Sequence, residues 1–392
     1  MIFLKKINDF CLYLLVLSVV FEFWNPFDLK GVLSITMVVF FIYIISTLPF
    51  LNKRLSFFYL GPYIKPILLF LLIEAISSFL NITYIEELND LFTTRILKFL
   101  FLLLILGNHL ISNPTILLYV LKIYTFGIFL LSVLFLFGIG VDIDFTEGES
   151  RLIIFGENPN NIGIKAVIGA LILLSFILEQ KFNIIYKIFM GLMLVPIFPL
   201  ISATASRGAV FTFFIGAAVM ILLLKKNFKE KFLIIILASI VGVLLFNYFL
   251  SNEIFYTRFM QFVDEGKTGR NDIWEIAFGF FVDNPFLGVG RSGFKPMMKE
   301  TFGGAMGAHN AFLEILATTG LIGFIVFMIF YFRLLILAHN NFKRTKTVLI
   351  FLLFSAITLH IFKAGGAISS LFVWFVFAIL IGSTRINNHV IN

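Results

Sequence analysis

Three arginines and one histidine in this chain have the types and settings that chemistry needs. Arg207, in Ser206-Arg207-Gly208-Ala209, opens an apolar run with another on its other side. An arginine so placed is costly beside lipid without a partner, which makes it a functional candidate; the plain alternative is a side chain snorkelling into headgroups. Arg270 and Trp274 stand four apart, one helical turn, on a short segment that either works on a ligand or rests on anionic lipid. Gly288-Val289-Gly290-Arg291-Ser292-Gly293 satisfies the dinucleotide fingerprint as a string. That fingerprint needs a preceding buried strand and a βαβ unit, whereas Pro285 precedes it here and a transmembrane helix is expected to follow. Two readings remain, a loop aiming N–H groups at an anion with Arg291 assisting, or a flexible turn.

His309-Asn310 falls where the chain re-enters an apolar run, with Glu314 one turn on. A helix N-terminus favours neutral imidazole, the form a general base needs; the alternative is a histidine that only caps backbone groups. Asp142, Asp144, Glu147 and Glu149 offer oxygen ligands for a divalent cation, but a solvated acidic loop is the commoner meaning, and no metal site is expected. Glu74 in mid-span must be protonated, paired or turned to a polar cavity. His360 and Lys363 either join the cationic group or anchor their helix.

The elements that position these residues follow from composition. Hydrophobic residues are 60% of 392 and charged residues 13%, so a water-facing surface is missing and lipid is the solvent. Apolar runs fall near 9–24, 32–51, 63–82, 96–112, 115–140, 161–179, 186–204, 208–224, 232–250, 310–338, 347–364 and 367–384. They are continuous rather than alternating, which predicts an all-α polytopic bundle of about twelve transmembrane helices and favours it over a barrel. The whole of 1–392 reads as one integral membrane domain. Lys5 and Lys6 before the first run imitate a secretory signal, but no small-x-small cleavage site follows. Cys11 is the only cysteine, so no disulfide within the chain is possible.

The net charge of +8 invites a nucleic-acid reading, yet the basic residues lie in membrane-flanking clusters, and no nucleic-acid partner is expected. Half of the 30 basic residues gather on one set of loops, among them Lys53, Arg54, Lys225, Lys226, Lys229, Lys231, Lys343 and Arg344, which sets both termini inside. The short outer loops carry fewer, among them Arg151, Lys165, Arg207 and Lys363. Two outer segments are long and polar, 141–160 and 251–309, the second between the ninth and tenth helices. Connections of that length are usually functional. Within the second, Ile273, Ile276, Ala277, Phe280 and Phe281 recur at helical spacing and Asn284-Pro285 ends the run, predicting an amphipathic helix over 270–283 on the membrane or on the bundle.

Taken in order, these strings resemble the O-antigen ligase and O-antigen polymerase superfamily of bacterial inner membranes. The resemblance rests on Arg151 with Asn158-Pro159-Asn160, on Ser206-Arg207-Gly208-Ala209 and on Arg270-x-x-x-Trp274. It continues in Asn284-Pro285-x-x-Gly288-x-Gly290, His309-Asn310-x-x-Leu313-Glu314 and Gly320-x-x-Gly323. It implies an integral membrane enzyme that moves a glycan from undecaprenyl diphosphate to an acceptor hydroxyl at the periplasmic face. The acceptor would be a sugar of another repeat unit in a polymerase or lipid A-core in a ligase, and Ala311-Phe312-Leu313-Glu314 looks more like polymerases. No cofactor is implied, and membrane lipids and a chain-length regulator are candidate partners.

A diphosphate is already a competent leaving group, so the protein need only stabilise its charge and deprotonate the acceptor. The expectation is therefore a metal-independent, inverting transfer. Arg207 and Arg270 hold the diphosphate, Arg291 assists, His309 is the base, and Asn310, Glu314, Arg151 and Asn160 support them. A transporter or flippase would instead gather polar residues at mid-membrane, and a purely structural subunit would leave the outer arginines and His309 unexplained.

Overall fold

The computed structural model describes residues 2–26, 34–81, 97–144, 151–265, 270–303, 307–364 and 367–385. Nine helices come first: α1 (Ile2–Val19), α2 (Ile35–Thr47, running on to Arg54), α3 (Gly61–Leu80), α4 (a π-helical Leu97–Leu106 leading into Gly107–Ser112), α5 (Pro114–Leu136), α6 (Pro159–Glu179), α7 (Ile184–Ala203), α8 (Arg207–Leu223) and α9 (Phe228–Leu250). Three shorter ones follow, α10 (Glu253–Glu265), α11 (Asn271–Asp283) and α12 (Gly290–Phe302). The last three are α13 (Ala311–Thr345), α14 (Leu349–Lys363) and α15 (Leu371–Gly382). Among the described residues, seven helices are long and apolar enough to cross a membrane, and shorter apolar helices accompany them. The chain is an all-α polytopic bundle, as its apolar runs predict.

Local sequence sets where these helices begin. Asn113, Asn158, Asn183, Asn227 and Asn310 each stand just before a helix, and each Oδ1 accepts from an N–H of the first turn. Asparagine at this position satisfies donors that the helix cannot, and Pro114 and Pro159 follow where a missing N–H costs nothing. Among the helices long enough to cross a membrane, α6 is the most enclosed, with 78% of its apolar window buried, whereas α9 buries only 6% of its window and so faces lipid. Every residue of α15 is buried, with Trp374 stacked on Phe330 at 6.0 Å.

The described parts of 141–160 hold two short strands. Val141–Asp144 and Arg151–Ile154 form an antiparallel hairpin, β1 and β2, with Val141 opposite Ile154 and Asp144 opposite Arg151. Phe155 then packs edge-on against Phe21 at 5.4 Å and lies 5.0 Å from Trp24, which staples the hairpin to the end of α1. Asp142 and Asp144 thus sit on a strand, while Glu147 and Glu149 lie outside the described residues. Among the described residues no group of three His, Cys, Asp or Glu is placed to hold a metal ion.

The segment 251–309 folds into α10, α11 and α12. The amphipathic helix expected over 270–283 is α11, with Arg270 at its N-cap and Asn284 at its C-cap. Its apolar face, Ile273, Ala277 and Phe280, is buried with Phe294, Met298 and Ala317, so it rests on protein rather than on the membrane. The element after the glycine-rich string is α12, not the transmembrane helix that the sequence suggests. Pro296 and the low apolar content of Gly290–Phe302 make this a short helix that packs its first turn on α3 rather than spanning the membrane, and the next spanning helix is α13.

Two residues counted as loop cations are in fact inside. Arg54 is buried, donating to Ser112 Oγ at 2.8 Å and Asn8 Oδ1 at 3.2 Å. Lys165 is fully buried between Glu157 and Glu22, because one turn of α6 before it already lies within the bundle.

Candidate functional site

A cavity of about 160 Å³ opens at the end of the bundle that carries the hairpin and α10–α12. Its polar wall is Asn160 at the start of α6, Ser206 and Arg207 at the start of α8, Arg258 on α10, Arg270 before α11, and His360 and Lys363 at the end of α14. Four of these side chains are cationic, and among the described residues no Asp or Glu lines it. The N-termini of α6 and α8 meet here, and unsatisfied N–H groups at a helix start add to the attraction for an anion.

Three of these cations are propped. Arg207 donates Nη1 to the carbonyl of Arg258 at 2.5 Å and holds its guanidinium 5.9 Å from the Phe262 ring. Arg270 donates Nη1 to the carbonyl of Lys363 at 2.7 Å, and Lys363 Nζ lies 5.8 Å from the Phe211 ring. Contacts of this kind fix long side chains before a ligand arrives and so lower the entropy cost of holding it.

The turn before α8 shows how the sequence sets this geometry. Ala205 takes φ 46°, a left-handed conformation that costs an alanine about 1 kcal/mol. Ser206 Oγ then accepts from Ala209 N at 3.4 Å and starts α8, so Arg207 is its first residue. Gly163 lets α6 close against this turn: a Cβ there would come within 2.8 Å of Ala209 Cβ and 3.0 Å of Thr204 Oγ1.

Behind the cavity, Lys165 Nζ lies 2.6 Å from Glu157 Oε2 and 3.6 Å from Glu22 Oε2. Glu22 in turn accepts from the N–H groups of Leu371 and Phe372, at 2.9 and 3.3 Å, and caps α15. Burial pushes the Glu157 carboxyl up to about 7; Lys165 opposes the shift and the Glu22 charge adds to it. Neither this cluster nor Arg258 stands out in the sequence, since Glu22, Glu157 and Lys165 are scattered over three elements.

Of the residues singled out from sequence, Arg207, Arg270, Trp274 and Asn160 come together here, joined by His360 and Lys363. Arg151 opens β2. Arg291, Glu314 and His309 are not in the lining. Three N–H groups of the glycine-rich string already have acceptors within the protein. Gly288 N donates to Asn284 O, Val289 N to Ala317 O at 2.9 Å and Arg291 N to Ser78 Oγ at 3.0 Å.

Its glycines answer a different need. Residue 320 interrupts α13 at φ 61° and ψ −166°, and Pro285 and Phe286 fill the break, accepting from Leu321 N and Ile322 N at 2.8 and 3.3 Å. A Cβ on Gly320 would sit 2.3 Å from Phe286 C, one on Gly288 2.4 Å from Ala317 O, and one on Gly290 2.7 Å from Ser78 Cα. All three positions therefore require glycine.

His309 precedes α13 with φ 51°, uncommon for a residue with a side chain. The capping of α13 falls to Asn310, whose Oδ1 accepts from Phe312 N at 3.1 Å and Leu313 N at 3.2 Å, so His309 is not needed as a cap. Glu314 faces a separate small cavity with Glu74 and Arg291.

Residues 188–328 match the family model described as O-Antigen ligase. The match supports the O-antigen ligase and polymerase superfamily. The segment that matches the O-antigen ligase model carries Arg207, Arg258, Arg270, Arg291 and His309, while Asn160, His360 and Lys363 reach the cavity from outside it. No curated protein matches the chain. The family indicates an O-antigen ligase or polymerase type of function and a glycosyltransferase type of enzyme in a membrane.

Proposed function

We propose that this protein transfers a glycan from undecaprenyl diphosphate to an acceptor hydroxyl at the periplasmic face of a bacterial inner membrane, with both termini cytoplasmic, and that it joins repeat units as a polymerase. What supports the reading is the cavity at the α10–α12 end of the bundle, where Arg207, Arg258, Arg270 and Lys363 converge with no carboxylate among the described residues of the lining. In this reading those cations hold the diphosphate and the sugar extends toward His309. His309 takes the acceptor proton, the acceptor oxygen bonds to the anomeric carbon from the side opposite the leaving group, and the C–O bond to the diphosphate breaks with its electron pair. The lipid diphosphate leaves with one more negative charge, which the cations stabilise, and configuration inverts. Two unit charges about 4 Å apart are worth roughly 4 kcal/mol at an effective dielectric of 20, so several such side chains supply the work otherwise given to a metal.

The similarity of Ala311-Phe312-Leu313-Glu314 to polymerases favours repeat-unit joining. The ligase reading, with lipid A-core as acceptor, is favoured by the match to the O-antigen ligase family model. Protein reconstituted in vesicles with lipid-linked glycan from the producing cells tests both. New glycosidic bonds between repeat units support the polymerase and bonds to lipid A-core the ligase. Movement of the lipid-linked glycan across the vesicle without bond formation sinks both.

A further inference from the structure

A second polar cluster lies inside the bundle, apart from the cationic cavity. Glu74 of α3, Arg291 at the start of α12 and Glu314 in the first turn of α13 line one cavity of about 10 Å³, with Phe70, Thr318 and Ile368 beside them. Glu74 is 2% exposed and Arg291 8%. A carboxylate this deep needs its charge met or a proton on it, and here two acids from different helices share one cavity with one guanidinium.

Arg291 is held from several directions. Its N–H donates to Ser78 Oγ at 3.0 Å and its Nη2 to Ser369 Oγ at 3.3 Å. Ser292 Oγ donates to Ser78 O at 2.8 Å, and Ser77 Oγ donates to Thr318 O at 3.0 Å. The start of α12 is thereby fixed to α3 and to the broken α13. Glu314 N donates to Asn310 O, so whatever holds Glu314 also holds the turn that follows His309. A left-handed non-glycine residue such as His309 persists only where its surroundings over-determine it.

We propose that Glu74, Arg291 and Glu314 form a buried clamp that fixes the first turn of α13 and with it His309, so that Arg291 is a positioning residue for His309 and not a ligand of the diphosphate. The catalytic meaning of the clamp rests on the function proposed above, while its mechanical part stands apart from it.

The test therefore reads position rather than turnover. In full-length protein carrying Cys11→Ser, His309→Cys is alkylated with a maleimide, and Asp264→Cys on α10 serves as a control. Adding Arg291→Met should raise the alkylation rate at position 309 by about tenfold, the scale of a coupled buried contact, and leave the control rate unchanged. Adding Glu74→Gln and Glu314→Gln as well should bring the rate back toward its starting value, because a neutral cluster leaves no uncompensated charge. Binding of undecaprenyl diphosphate, measured with His309 in place, should stay within about twofold in Arg291→Met, well short of the loss expected for a charged ligand. Lost binding with an unchanged alkylation rate would make Arg291 a diphosphate ligand and overturn the proposal; an equal rise at both cysteines would reduce it to general loosening. If Arg291→Met does not fold, Arg291→Lys keeps the charge without the planar fork and should give a smaller rise at position 309 alone, and no rise there overturns the clamp.

Discussion

Arg270 Nη1 donates to the carbonyl of Lys363 at 2.7 Å, joining the start of α11 to the last residue of α14 across 93 positions of chain. This bond latches the long connection to the bundle and closes one wall of the cationic cavity. Arg270→Ala removes both the latch and a charged donor, and Arg258→Ala removes a charged donor from α10. Each should weaken undecaprenyl diphosphate binding by about 10–100-fold, as expected from the roughly 1.5–3 kcal/mol of a charge-assisted hydrogen bond. Lys299→Ala, an exposed cation on α12 outside the lining, should change it little. Equal losses in all three variants would mean that net charge, and not this cavity, attracts the lipid. Arg207→Lys keeps a charge but not the planar fork that matches phosphate oxygens, and should impair donor use at every pH.

The proposed orientation rests on where the cations lie along the chain. In a Cys11→Ser background, cysteine at Asp264 should react with an impermeant maleimide added to intact cells, and cysteine at Lys229 should react only after permeabilisation. The opposite pattern would turn the bundle over and move the proposed chemistry to the cytoplasm.

If the arginines stabilise the leaving diphosphate, turnover in vesicles should survive excess chelator. Activity lost in chelator and restored by magnesium or manganese would return the role to a cation.

The buried Glu157 gives a pH dependence of stability with a definite sign. Its carboxyl is raised by burial from an ordinary 4.5 to about 7 in the folded chain. The folded state thus holds a proton that the unfolded state has released between those values. Its contribution to stability is full below about pH 4.5 and is lost as pH rises through about 7. The thermal midpoint in detergent should fall between pH 5 and pH 8, and Glu157→Gln should flatten that fall. A midpoint that instead rises over this window in the unmodified protein alone would contradict the assignment.

How much of this was legible in the sequence depends on the range of the interaction. Arg207, Arg270 and Trp274 could be singled out because each carries its own local context, an apolar run or a helical spacing. Arg258 could not, since only the fold brings α10 over the start of α8. The glycine string was legible as a demand for special backbone, but its reason lies 30 residues on at Gly320, where close approach of two segments leaves no room for a Cβ. Lys165 was misplaced because charge counting assigns a residue to a loop by its neighbours, whereas its partners Glu22 and Glu157 come from elsewhere. The hairpin over 141–154 was hidden by the acidic residues beside it, which read as solvated loop.

Two histidines compete for the base. His360 lines the cavity, while His309 lies outside it, in a strained conformation at the head of α13. A residue inside a diphosphate pocket is placed to touch the leaving group, and one beside it is placed to meet the acceptor. His309→Ala should therefore lower single-turnover rates by about 10²–10⁴-fold with undecaprenyl diphosphate affinity nearly intact, the signature of lost proton transfer. His360→Ala should act mainly on affinity. In the unmodified protein turnover should rise with pH as the base loses its proton, and that rise should vanish in His309→Ala. The measurement is single-turnover rate and lipid diphosphate affinity for both variants across pH, with lipid-linked glycan from the producing cells as donor. A loss of rate without loss of affinity in His360→Ala, together with a retained pH rise in His309→Ala, would transfer the role of base to His360 and leave His309 with a structural part alone.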